Sequence, residues 1–317
     1  MKDRGMNKVV LVKRRTRLEE LKRRYNTAEQ ARFYVEHLGA DFSDYEEEHR
    51  RYYAEFEKAR AIAGRVARVQ EIDRDYIPNM IFGPEDIVVA VGQDGLVANV
   101  MKYLSGQPLI GVNPDTRRWD GYLLPFEAGD LEKILPLVID RKHCMKQVTM
   151  GKAETGDGQV LFAVNDFFIG IRNHTSARYQ ICYNGISERH SSSGVIVSTG
   201  LGMTGWHASV MAEFRGMARA FHLDTAGMSS WENSGAWDSG KLVFQVREPY
   251  PGRYTQTELV YGQVTKADSL TFVSDMAENG VVFSDGILED SIDFTAGIRL
   301  AVSVAERQGH LVTGAGA

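Results

Sequence analysis

Residues Ile87 to Leu96, IVVAVGQDGL, constrain the fold of this chain more than any other stretch. An apolar run with no polar alternation is the pattern of a strand buried on both faces, which belongs inside a parallel sheet. It stops at Gly92-Gln93-Asp94-Gly95, and Leu96 to Leu104 can form a helix directly after that turn. Strand, glycine turn and helix in this order bring backbone N–H groups to the carboxyl edge of the sheet, where open α/β sheets bind ligands. The glycines let the chain turn tightly and let phosphate oxygens approach the backbone. A carboxylate at that mouth, Asp94, is suited to accept a proton from an attacking hydroxyl or to help hold Mg²⁺. Gly-x-Asp-Gly is also an ordinary turn sequence, and the stretch by itself leaves both readings open.

The flanking residues supply the rest of an α/β layer. Strands are expected at Lys8 to Val12, Val66 to Ile72, Ile87 to Val91 and Leu109 to Asn113. Helices are expected at Arg17 to Tyr25 and Asp130 to Ile139. Two more helices follow from capping-box spacings, Thr27 with Gln30 and Ser43 with Glu46. The first carries Ala28, Ala31, Tyr34, Val35 and Leu38 on one face and closes at Gly39. The second is charged, runs through Tyr45, Tyr52, Tyr53, Phe56 and Ala59, and its EEEHRR and EFEKAR runs read as a solvated face. Alternating strand and helix predict a parallel sheet covered by helices.

The character changes near Arg141. Short strands are expected at Gln147 to Lys152, Gln159 to Val164, Phe168 to Arg172, Ala177 to Tyr183 and Gly194 to Ser198. They continue at Lys241 to Val246, Ser269 to Ser274, Gly280 to Ser284 and Gly297 to Ala305. Gly156-Asp157-Gly158 suits a hairpin turn between the first two. This half is therefore mostly antiparallel and β-rich. The expected division is an α/β domain over 1–140, a β domain over 141–295, and a C-terminal segment over 296–317 packing back on the first domain.

Two further clusters carry polar chemistry. Asn165-Asp166 ends the apolar run Leu161 to Val164; such a pair can bind sugar hydroxyls, and is equally a turn-forming pair. Ser192 to Trp206, SSGVIVSTGLGMTGW, runs from a strand into Gly, Ser and Thr residues that offer many hydrogen-bonding groups and then an aromatic face. His190 and His207 flank this segment and read as packing or surface residues. Arg172, Arg178 and Arg189 are candidate phosphate clamps. The insertion GMSSWENSGAWDSG, with Trp231, Glu232, Trp237 and Asp238, reads as a lid or a subunit contact.

A net charge of −5 argues against a nucleic-acid or membrane-surface role for the whole protein. No apolar run reaches the roughly 18 residues of a membrane span. With no signal peptide pattern at the N-terminus and only Cys144 and Cys182, a reduced cytoplasmic protein is expected.

Taken together and in order, these clusters resemble the NAD kinase family. That family carries Gly-Gly-Asp-Gly-Thr, an Asn-Glu pair, Asp-Gly, and Ser-Thr-Pro-Thr-Gly-Ser-Thr-Ala-Tyr. The matching stretches here are Gly92-Gln93-Asp94-Gly95-Leu96, Asn165-Asp166, Ser193-Gly194 and Ser198-Thr199-Gly200-Leu201-Gly202-Met203-Thr204-Gly205-Trp206. Pro108-Leu109-Ile110-Gly111-Val112-Asn113 and Gly121-Tyr122-Leu123 are similar to its Pro-Val-Leu-Gly-Ile-Asn and Gly-Phe-Leu segments, and Asp285-Gly286 to a late Asp-Gly turn. The resemblance implies a Rossmann-like α/β N-terminal domain and an all-β, sandwich-like C-terminal domain, with the site in the crevice between them. It implies ATP and Mg²⁺, transfer of the γ-phosphoryl group to the adenosine 2′-OH of NAD, and a dimer or tetramer. Asp94 would be the general base, with Gly92, Gln93 and Gly95 binding phosphate. Asn165 and Asp166 would grip a ribose; Ser198, Thr199, Gly202 and Thr204 would line the nucleotide pocket, with Trp206 beside it.

The departures are specific. Gln93 stands for a glycine, Leu96 for a threonine, Asp166 for a glutamate, Ser193 for an aspartate, Gly200-Leu201 for Pro-Thr and Trp206 for a tyrosine. They keep two other readings in view. One is a kinase of the same fold acting on a sugar, nucleoside or lipid hydroxyl. The other is a nucleotide-binding regulator without turnover, in which Gln93 obstructs the γ-phosphate.

Overall fold

The computed structural model describes residues 8–224 and 236–315. The chain divides into two compact units, Met1–Lys146 with His310–Ala317, and Gln147–Gly309.

The first unit contains β1 (Lys8–Lys13), α1 (Arg17–Tyr25), α2 (Ala28–His37), α3 (Ser43–Val66), β2 (Arg68–Asp73), β3 (Ile87–Val91), α4 (Asp94–Met101), β4 (Pro108–Val112) and α5 (Leu131–Ile139). The strands lie side by side in the order β2-β1-β3-β4 and are all parallel. The last residues of the chain continue the sheet, with His310 opposite Pro108 and Leu311 opposite Leu109, also parallel. Every residue of β3 is buried. The reason is coverage on both faces: α3 and α5 press Tyr52, Phe56, Leu131 and Leu135 onto Leu11, Val89 and Ile110, and α4 is itself buried from Leu96 to Met101.

Local chemistry sets the helix ends. Thr16 and Glu19 form a complete capping box at α1. Thr27 caps α2, its hydroxyl accepting the Gln30 N–H at 3.1 Å. The expected Ser43 cap is not formed: Phe42 is the N-cap, and Ser43 instead donates its N–H and hydroxyl to Asp41 at 2.8 and 2.7 Å. On α2 only Ala31 and Val35 are buried, while Leu38 is 80% exposed. The charged run on α3 also departs from a solvated face, since Glu48 is buried and paired with Arg14 at 2.8 Å and Arg17 at 2.9 Å.

The second unit contains β5 (His143–Thr155) from Gln147 onward, β6 (Val160–Ala163), β7 (Asp166–Ile171), β8 (Ala177–Tyr183), β9 (Ile186–Ser192), β10 (Val195–Thr199), α6 (Trp206–Ala220), β11 (Leu242–Val246), β12 (Tyr261–Val264), β13 (Leu270–Ser274), β14 (Gly280–Ser284), β15 (Ile287–Asp293) and β16 (Arg299–Ala315) as far as Gly309. Six strands form an antiparallel sheet in the order β12-β11-β10-β7-β14-β15. A second antiparallel set runs β9-β8-β13-β16, and β5 and β6 form a hairpin closed at Gly158. Side chains alternate along the strands, so Phe167, Ile169, Val197 and Phe244 of the first sheet meet Tyr179, Ile181, Phe272 and Leu300 of the second. Three strands of this unit, β9, β12 and β15, and the helix α6 were not expected from the sequence. Both cysteines are free. Among the described residues no helix is long and apolar enough to cross a membrane. Trp231 and Glu232 of the insertion lie outside the described residues; Trp237 accepts the Thr149 N–H through its carbonyl at 2.6 Å.

Candidate functional site

In the first unit the turn at the end of β3 is built from both sides. The Gly92 N–H donates to Val112 O at 3.0 Å, which ties the turn to the end of β4. A Cβ on Gly92 would lie 2.9 Å from Leu96 Cδ2, so a side chain there would displace the end of Leu96. Leu96 is 2% exposed and fills the space under the turn. Gln93 is the N-cap of α4 in an extended conformation, and its side chain makes no capping hydrogen bond. The Leu96 N–H already donates to Gln93 O at 2.9 Å, and the Asp94 and Gly95 amides ahead of it leave this end of α4 open to an anion. Gly95 faces open space.

Asp94 begins α4 and is held from a distant part of the chain. The Leu123 N–H donates to Asp94 Oδ1 at 2.6 Å. Leu123 can reach because Gly111 has no side chain: a Cβ there would be 1.9 Å from Leu123 O. Asn113 braces the same loop, donating to Trp119 O at 3.1 Å and accepting from the Asp115 N–H at 3.0 Å. Gly121 turns it at φ +70°. One carboxylate oxygen of Asp94 is thus fixed, and Oδ2 has no partner among the described residues.

In the second unit Asn165, Asp166, Ser198, Thr199 and Gly202 come together. Asp166 and Ser198 are register partners on β7 and β10, and Ser198 Oγ donates to Asp166 Oδ1. Thr199 Oγ1 donates to Val164 O at 2.6 Å and accepts the Gly202 N–H at 3.2 Å, while its own N–H donates to Asn165 O at 2.8 Å. Ser198 and Thr199 are 0% and 1% exposed, so their hydroxyls shape the turn from inside. A Cβ on Gly202 would lie 2.2 Å from Asn165 O and 2.7 Å from Asp166 Oδ1, an approach only glycine allows. Thr204 is exposed one turn further on and donates to Leu201 O at 3.0 Å. Trp206 opens α6 and stacks on Phe168 at 5.7 Å, with the Arg247 guanidinium 5.6 Å from its ring centre.

Asp285, quoted above only within the late Asp-Gly turn, is the organiser of this cluster. It sits with Gly286 at the β14–β15 tip, both at positive φ. Its Oδ1 accepts the Asn165 N–H at 2.6 Å and the Asp166 N–H at 3.3 Å, and its Oδ2 accepts the Val164 N–H at 3.1 Å. Three successive amides on one carboxylate hold the Asn165-Asp166 turn rigid. Burial pushes the Asp166 carboxyl up to about 7; the Ser198 hydrogen bond opposes this and the Asp285 charge adds to it. The Asn165 side-chain amide has no hydrogen-bond partner among the described residues.

The histidines are packing residues. His190 Nε2 pairs with Glu188 Oε2 at 2.9 Å, both buried. His207 is 4% exposed, and burial lowers its pKa against a partly opposing Gln245. Arg172 is taken up by Ser291 and Asp293, each at 3.0 Å, and Arg178 and Arg189 are exposed. An apolar groove of about 520 Å³ between α6 and β11 contains none of the site residues.

Solved structures that share this fold include an NAD kinase and an NADH kinase. One is an NAD kinase from Archaeoglobus fulgidus in complex with ATP, which matches with a TM-score of 0.55 and 14% identity over 96% of this chain and 93% of its own. The other is yeast NADH kinase complexed with NADH, with a TM-score of 0.58 and 14% identity over 98% of this chain and 84% of its own. No family model matches the sequence, and no curated protein matches it. The chain therefore has the NAD kinase-like fold, an α/β unit and an antiparallel β unit.

Proposed function

We propose that this protein is an ATP-dependent phosphotransferase of the NAD kinase type, converting NAD to NADP at the adenosine ribose 2′-OH. The observation that carries the reading is Asp94, fixed through one oxygen by Leu123 and open at the other, at the uncapped start of α4. The open oxygen suits a general base, and the neighbouring amides suit a phosphate chain. In the reaction the 2′-oxygen bonds to the γ-phosphorus, the bond to the β-phosphate oxygen breaks, ADP leaves, and the hydroxyl proton passes to Asp94. Asn165 and Asp166, held by Asp285, are assigned to the ribose hydroxyls: a protonated carboxyl, like an amide, both donates and accepts.

Among the described residues no cluster of three or more His, Cys, Asp or Glu is placed to hold a metal. Magnesium that arrives on nucleotide phosphates keeps several waters, and Asp94, with its open oxygen assigned to the base, would meet the ion through one of them. It would neutralise charge on the phosphates.

The test is NADP⁺ formation from NAD⁺, ATP and Mg²⁺. Asp94→Ala should lower kcat by about 10² to 10⁴. Turnover by that variant at the wild-type rate would remove Asp94 from the chemistry. A second acceptor is favoured by one feature: Asp166 is shorter than the family's glutamate and is partly engaged by Ser198. ATP consumption with another hydroxyl compound and none with NAD⁺ would select that reading.

A further inference from the structure

The parallel register places Val12 opposite Ala90, so the residues after β1 emerge level with the Gly92 turn. Arg14 is one of them. Its side chain runs beneath the turn: a Cβ on Gly92 would lie 3.4 Å from Arg14 Cδ and 3.5 Å from Nε. The guanidinium is 8% exposed and is held by Glu48 Oε1 and Arg15 O, each at 2.8 Å. The Arg14 N–H donates to Tyr52 Oη at 2.8 Å, and the Tyr52 hydroxyl donates to Val91 O at 3.2 Å, locking Arg14 to the end of β3.

Two features set this pair apart from a simple structural ion pair. Arg14 Nε is buried with no hydrogen-bond acceptor among the described residues. The surrounding charges also do not cancel. Arg17 bonds both Glu48 and Asp44, and Arg118 bonds Asp44. Asp115 takes Arg118 at 3.9 Å together with Arg51 and Arg117, and Glu47 takes Arg50 and Arg51, so among the described residues six guanidinium groups share four carboxylates. The spare donor lies under the glycine turn, at the amide end of α4, and the excess of guanidinium groups lies in the network behind it.

We propose that Arg14 is the fixed cation of the phosphate site, a positioning residue that holds a phosphate chain against the first-turn amides of α4. It acts through its field from below the turn, where low polarity strengthens the attraction. The identity of the anion as a nucleoside triphosphate rests on the kinase reading; the anion site itself does not.

The experiment titrates the full chain with inorganic tripolyphosphate and with ATP by calorimetry, and measures KM for ATP and for NAD⁺ separately. Arg14→Met should weaken both ligands by about tenfold. It should raise KM for ATP and leave KM for NAD⁺ unchanged, and Arg14→Lys should restore most of the loss. Arg14→Met with Glu48→Met removes the buried pair together and keeps the test open if the single variant does not fold. Unchanged tripolyphosphate affinity in a folded variant would overturn the proposal, and so would a wild type that binds neither ligand. Tripolyphosphate binding that depends on Arg14, with no NADP⁺ formed, would support Arg14 and remove the kinase reading. NADP⁺ formation with an ATP KM indifferent to Arg14 would do the reverse.

Discussion

At Asp166 burial and the charge of Asp285 act in the same direction, and the consequence is readable as stability. The folded chain keeps a proton on Asp166 up to about 7, while the unfolded chain releases it near 3.8. The stabilising contribution is therefore complete below 3.8 and is lost as pH rises through about 7. Asp166→Asn, which has no proton to lose there, should show a shallower fall of the urea midpoint between acid and neutral pH. Equal slopes for the two proteins would mean that Asp166 ionises normally. The position of this pair after an apolar run was legible in the sequence. Its environment was not, because the amides of Val164 to Asp166 are satisfied by a carboxylate about 120 residues away.

Among the elements, α3 shows where reading by local pattern stops. Tyr52, Phe56 and Ala59 sit at helical spacing and are buried as that spacing predicts. Glu48 lies within a run of acids and bases that reads as solvated, yet it is 3% exposed. Its depressed pKa comes from hydrogen bonds and charges of Arg14 and Arg17, which outweigh burial. Glu48→Ala leaves Arg14 buried without its counter-charge and should cost about 3 kcal/mol in a denaturant titration. A change under about 0.5 kcal/mol would place the pair among surface ion pairs. Strands β9 (ISERHSS), β12 (YGQV) and β15 (ILEDSID) escaped for a related reason. Their residues are largely polar, and only pairing with neighbours makes them strands. Helix α6 was hidden behind its opening glycines and threonine.

For the whole molecule, the change from parallel to antiparallel character was visible because it needs only hydrophobic period and turn residues. A C-terminal segment over 296–317 was expected to pack back on the first domain; what local pattern could not show is that the first unit takes up the chain again only at His310. Leu311 and Val312 are 1% and 0% exposed in the strand beside β4. A chain ending at Gly309 should melt earlier and bind a hydrophobic dye, since the face of β4 would lose its neighbour. Melting and dye binding identical to the full chain would show that this strand adds nothing to the first unit. The interruption also dictates an order of events during synthesis. Residues 310–315 leave the ribosome after every residue of the second unit, so β4 must wait with one edge bare while the sandwich assembles.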